Sequence, residues 1–206
     1  MKDEAWVSFP VLESSFMPGI ESDLTRSDLK HSAAIAKRYE KGEVLDPDEL
    51  PKKYFGRYKD KLLKGLPDFF YANGFFAVSA KCADILRKFN LGRAQLCPVT
   101  VYQNDGATEL PGTFFLIANI DHRPALDTER SKGIQRVYKG YDLFRSAPVT
   151  EDGDIVVSGA LTGGSNLWVD PTLKFSLFFR AELEAALRQG GINTFKRVRC
   201  TVHSGL

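Results

Sequence analysis

Few groups in this chain are spaced for covalent or metal chemistry. The histidines are His31, His122 and His203, and the cysteines are Cys82, Cys97 and Cys200. None of the histidines has a second ligand at the spacing of a Cys-x-x-Cys or His-x-x-x-His metal site, so no metal and no other cofactor is expected. There is no Gly-x-Ser-x-Gly elbow. Cys97 precedes Pro98 inside a strand-like run and reads as a core thiol. Thr162-Gly163-Gly164-Ser165 lacks the Lys-Ser/Thr ending of a phosphate cradle and reads as a turn. His203 falls in the C-terminal tail. His122, within Asp121-His122-Arg123, is the histidine in a site-like setting. It would be a general base oriented by Asp121 or Asp127, or a loop residue after a strand, the commoner case. No catalytic residue is assigned.

Binding is better served. Between residues 51 and 64, Lys52, Lys53, Arg57, Lys59, Lys61 and Lys64 stand against Asp60 alone, interleaved with Tyr54, Phe55 and Tyr58. That mixture suits phosphate contacts and base stacking on single-stranded nucleic acid. It better suits an amphipathic helix that packs its rings and Leu62 inward and turns its lysines to water, with nucleic acid or an acidic protein partner as the alternatives. The polar segment Asp121–Ser131 and the pair Trp168 and Asp170 form a second candidate surface, since Arg and Trp dominate protein interfaces. Trp168 would equally serve as a core ring.

The elements that must position these residues follow from pattern. With 206 residues, 43% hydrophobic and 26% charged, the chain has the proportions of an ordinary globular protein and buries a core without staples. A net charge of +2 predicts no strong field for nucleic acid or membrane. No run approaches the roughly 18 apolar residues of a membrane span, and the N-terminus lacks a signal-like apolar stretch. An odd, scattered set of three cysteines fits reduced, mostly buried thiols and a cytoplasmic setting. Residues 5–12 read as a strand that Pro10 keeps at an edge or bend. Asp28 caps a predicted helix from Leu29 to about Lys41, stopped by Gly42, and a second helix is predicted over 51–64.

From residue 66 the pattern is strands with short helices. Phe75–Ser79 leads through an Ser79 N-cap into a helix ending near Phe89. Gln95–Tyr102 and Thr113–Ile120 form a hairpin. Ile134–Lys139, Ile155–Ser158, Leu167–Val169 and Leu173–Phe179 are strands, Ala181–Gln189 is a helix and Thr194–Val202 is the last strand. The stretch from Phe75 is echoed by the stretch from Phe175: strand, helix of about ten residues, glycine stop, strand. A duplication and a recurring supersecondary solution both account for that. The expectation is one α+β domain over 1–206, with a mainly helical segment 1–65 and a mixed, largely antiparallel sheet over 66–202.

Leu66-Pro67-Asp68-Phe69, then Gly74-Phe75-Phe76-Ala77-Val78-Ser79 and the helix behind it, resemble the opening of the eleventh immunity-protein family of bacterial polymorphic toxin systems. Pro98-Val99-Thr100-Val101, Thr113–Ile120, Ala125-Leu126-Asp127, Arg130-Ser131, Leu167-Trp168-Val169-Asp170 and the final strand-helix-glycine-strand unit continue the resemblance in order over residues 66–202. One departure is that Phe179 and Arg180 stand where a capping Ser is expected, a loss of about 1 kcal/mol. The resemblance implies a cytoplasmic protein that binds a cognate toxin domain in a stoichiometric complex and needs no nucleophile. The mild basic balance argues against acidic mimicry of a nucleic acid. The proposed toxin contacts are Asp121, Arg123, Asp127, Arg130, Trp168 and Asp170, with Lys53, Arg57 and Tyr58 in reserve. The competing readings are a small enzyme built on His122 with Asp121 or Asp127, and a nucleic-acid-associated module built on 51–64.

Overall fold

The computed structural model describes residues 4–9, 17–158, 164–193 and 195–203. In chain order its elements are β1 (Ala5–Ser8), β2 (Ile20–Ser22), α1 (Asp23–Ser27), α2 (Leu29–Glu40), a 3-10 turn (Pro47–Glu49), β3 (Lys53–Gly56), β4 (Phe69–Ala72), β5 (Phe75–Ser79), α3 (Ala80–Leu86), β6 (Gln95–Tyr102), β7 (Phe114–Ala118), β8 (Asp121–His122), β9 (Ile134–Arg136), β10 (Phe144–Ser146), β11 (Val156–Ser158), β12 (Leu167–Val169), β13 (Leu177–Arg180), α4 (Ala181–Gln189), β14 (Val198–Arg199) and β15 (Thr201–His203). One sheet has the order β2-β3-β6-β7-β5-β4 and another β14-β1-β13-β12-β8. The pairs β9–β10 and β11–β15 stand apart from these. Pairing is mostly antiparallel, with β3–β6, β8–β12 and β11–β15 parallel, so the fold is α+β with mixed sheets.

The echo seen in the sequence is a repeated unit in space. β4-β5-β7-β6 and β12-β13-β1-β14 have the same order with every neighbour antiparallel, and each unit carries a helix after its second strand. Neither helix joins adjacent strands: β7 lies between β5 and β6, and β1 between β13 and β14. The bonds at the two helix starts match. Ser79 N–H donates to Asp68 O and Ala80 N–H to Thr113 O, as Arg180 N–H donates to Asn166 O and Ala181 N–H to Glu4 O. Eight residues past each of these starts an arginine covers an aromatic ring of the inserted strand: Arg87 over Phe115 at 4.6 Å, and Arg188 over Trp6 at 5.6 Å. α3 and α4 pack on each other where Gly190 leaves room for Ile85.

Local chemistry explains the termini. Asp28 accepts from the N–H groups of Lys30 and His31 and starts α2, and Gly42 ends it at φ 74°. Ser79 caps α3 by accepting from Cys82 N–H. α4 has no side-chain cap, and Glu182 and Glu184 in its first turn complement the helix dipole instead. Asn73-Gly74, both at positive φ, close the two-residue β4–β5 hairpin.

Four expectations are corrected. Residues 51–64 do not form a helix: β3 occupies 53–56, with Tyr54 and Gly56 buried while Lys53 is exposed, a period of two rather than 3.6. β1 is not an edge strand, since β14 and β13 flank it, and Pro10 lies outside the described residues. The apolar run Leu173–Phe179 is strand only from Leu177, because Lys174 and Phe175 turn and Phe175 takes φ 57°. His203 belongs to β15, paired parallel with β11, rather than to a loose tail.

The main buried cluster joins Ile20, Ile35, Tyr39, Leu45 and Tyr54 to the sheet residues Phe75, Leu116 and Ile117 and to Leu177, Phe179 and Phe195. A second cluster centres on Trp168, stacked on Phe178 at 5.4 Å, with Ile155 and Val157. Phe178 is buried, and Phe115 is half-buried beneath Arg87.

Candidate functional site

The hairpin ends of the two repeated units converge on an open cleft. Tyr71, Gly74 and Phe76 approach from the β4–β5 turn, and Val169, Asp170, Leu173 and Phe175 from the β12–β13 connection. Ile120, His122 and Leu143 complete the walls, and the end of α2 supplies Tyr39, Glu40 and Gly42. Apolar runs at strand ends bring these residues together, because each strand must stop where its sheet stops.

The scaffold behind the cleft is tightly bonded. Asn119, at φ 52°, sends both ends of its amide to the main chain of Leu45. Arg93 donates to Gly42 O at 2.9 Å and to Ile120 O at 3.3 Å. Tyr39 OH donates to Ile117 O at 2.7 Å, and burial pushes its phenol well above the ordinary range. The His122 ring rests against Gly42, where a Cβ would collide with it. Its pKa is lowered, first by burial and then by Arg93, so the imidazole is neutral at pH 7.

The predicted site residues sort by position. Asp121 lies on β8, and its carboxylate faces Gly92 and Arg93, 3.5 Å from Arg93 Nε. Asp127 closes a turn by accepting from Glu129 N–H and Arg130 N–H and pairs with Arg130 Nη1 at 2.7 Å, which lowers its pKa. Both carboxylates are thus bonded away from His122. Arg123 lies 5.7 Å from the Trp168 ring. Trp168 is fully buried, and Asp170 is buried with its oxygens accepting from the N–H groups of Ala125, Leu126 and Thr172. These two residues fix the 121–131 segment from beneath; Trp168 offers a partner no surface of its own, and Asp170 reaches the cleft wall with its oxygens already bonded.

The reserve residues Lys53, Arg57 and Tyr58 are exposed. Around them cations already lie on rings of the same chain: Arg26 covers Phe55 at 4.0 Å, Phe55 stacks on Tyr102 at 5.6 Å, and Lys53 lies 5.8 Å from Tyr102. Base stacking would have to displace these internal contacts.

Sequence pattern missed Tyr71 and Phe175, which line the cleft. The available signal for Tyr71 was Asn73-Gly74, a hairpin turn two residues on. Phe175 gave none, sitting in an apolar run that looked like uninterrupted strand.

The model of the immunity protein family Imm11 matches residues 17–200. The chain belongs to this family. The match reaches back past residue 66 and takes in α1, α2 and β3, in keeping with the core those segments share with the sheets. No curated protein matches the chain. The three thiols of this family member are free, with Cys82 and Cys200 buried and Cys97 partly exposed. Among the described residues no group of three or more His, Cys, Asp or Glu is placed to hold a metal, and no helix is long and apolar enough to cross a membrane.

Proposed function

We propose that this immunity-family protein protects its cell by binding one cognate toxin directly, one to one, in the cytoplasm, without turnover. The family match over residues 17–200 carries the reading. Inhibition by occlusion requires a rigid scaffold and a complementary surface, and the bonded sheet ends around residues 119–122 and 168–176 are of that kind. The whole chain acts as one domain in this proposal, since residues 20–54 and 177–195 contribute to one core. Asp121, Arg123, Asp127 and Arg130 are the proposed polar contacts, held by the buried Trp168 and Asp170, with Lys53, Arg57 and Tyr58 in reserve.

An inhibitor that survives dilution needs a Kd in the nanomolar range or below, about −12 kcal/mol. That usually takes about 1,200–2,000 Å² of interface with a few anchoring side chains. The test is growth rescue by co-expression with the toxin encoded beside this chain, together with calorimetry on the purified pair. Rescue with a stoichiometric complex is expected. Full protection with no measurable complex would replace the proposal with an enzyme that reverses the toxin's damage.

A further inference from the structure

We infer that the cleft between the two hairpin ends is a socket for an uncharged aromatic or large aliphatic side chain of the toxin, lined by Phe175, Tyr71 and Leu143, with the exposed β9–β10 hairpin tyrosines Tyr138 and Tyr141 as a further contact outside it. The inference rests on the binding reading above and names the place on the molecule where that binding is anchored.

Phe175 is the first observation. A bulky residue in the left-handed region is a backbone outlier that costs about 1–2 kcal/mol. The residue is nevertheless only partly packed, 37% exposed at the cleft and edge-on to Tyr71 at 6.3 Å. The turn that holds it is over-determined: Leu173 N–H donates to Asp170 O, Lys174 N–H to Phe144 O, and Ser176 Oγ–H to Leu173 O. Strain kept at the surface by bonded neighbours is a mark of functional positions.

The hairpin is the second. Leu143 lines the cleft, and the same hairpin shows Tyr138 and Tyr141 at 63% and 68% exposure. Tyrosines at a turn supply large contact area at little rotamer cost. Arg136 braces that turn by donating to Tyr141 O and Asp142.

Charge decides the kind of occupant. The rim charges are already paired within the chain, Lys174 with Glu40 at 3.3 Å and Glu43 with Arg38 at 3.0 Å. His122 and Tyr71 are neutral in their surroundings. Asp170 in the wall spends its oxygens on the N–H groups of Ala125, Leu126 and Thr172, so an ionic ligand would find no counter-charge to spare, whereas an apolar side chain meets Tyr71, Leu143 and Phe175. Central, preformed pockets of this type hold the residues that dominate interface energy.

The experiment is calorimetric titration with the toxin domain encoded beside this chain, purified with an inactivating substitution. Phe175→Gly keeps the backbone conformation and removes the ring, Tyr141→Ala trims the exposed turn, and Val149→Ala is the control. Phe175→Gly is expected to weaken binding about 30-fold and the Phe175→Gly/Tyr141→Ala pair more than about 100-fold, with Val149→Ala within about threefold of the parent. In hydrogen exchange on the parent complex, segments 71–76 and 171–176 should gain protection. Near-parental binding by the double variant, or no added protection in those segments, overturns the socket while leaving one-to-one binding intact. Absence of any complex with the parent chain overturns both. If Phe175→Gly lowers the melting temperature, Tyr141→Ala and the exchange measurement still decide.

Discussion

Asn119 grips the main chain of Leu45 from both sides. Its Oδ1 accepts from Leu45 N–H at 2.8 Å and its Nδ2 donates to Leu45 O at 3.0 Å, all four groups buried. Seventy-four residues apart in sequence, the pair ties the segment after α2 to the end of β7, on the cleft wall. Asn119→Ala removes both bonds, leaves the Leu45 groups unsatisfied and puts a less tolerant residue at positive φ. We expect a loss of about 3 kcal/mol, measured by urea denaturation. A loss below about 1 kcal/mol would mean that the clamp is not made.

Glu184 and Arg197 are the buried ion pair of the second unit, Arg197 Nε to Glu184 Oε1 at 3.3 Å, with both side chains under a tenth exposed. Burial is the largest influence on Arg197 and lowers its pKa, and Glu184 acts against it. Glu184→Ala should cost about 3 kcal/mol, since it leaves a buried guanidinium without its anion. The Glu184→Leu/Arg197→Leu double variant should recover most of that. Equal destabilisation by the single and double variants would count against the pairing.

The thiols should react unequally. Burial pushes Cys82 up to about 12 and raises Cys200 further, while Cys97 is only partly buried and less affected. A thiolate reagent at pH 8 should modify Cys97 slowly and the other two only after denaturation, which mass spectrometry reads directly. Rapid native labelling of Cys82 would contradict its placement on the buried face of α3.

His122 gives stability an acid limb. Its folded pKa lies below the ordinary 6.5, so the unfolded chain binds the extra proton first as pH falls. Stability should therefore decline from about pH 6.5 downward until the folded pKa is passed. His122→Gln should flatten that part of the curve in denaturation midpoints taken between pH 7 and 5. The carboxylates with lowered pKa, Glu49, Asp105 and Asp127, act only at more acid pH and leave that window unchanged.

How much was legible depended on the range of the interactions. Ser79, Asp28 and the glycine stops act over three or four residues, so α2, α3 and α4 were readable, and so was the β6–β7 hairpin. The segment 51–64 was misread because its lysines and rings fit a helical face. Pairing of Tyr54 and Phe55 with Val101 and Tyr102, about 47 residues away, selected a strand instead.

The sequence by itself determined the α+β class, the family and the strand-helix-strand echo, because these rest on local periodicity and on the order of short motifs. Only the tertiary structure decided that the echo is a repeated sheet unit, since β1 enters the second unit from the far end of the chain. It also decided that Trp168 and Asp170 lie beneath the surface and that Phe175 stays at it. Burial depends on what packs across a residue, and those partners come from segments that local pattern cannot bring together.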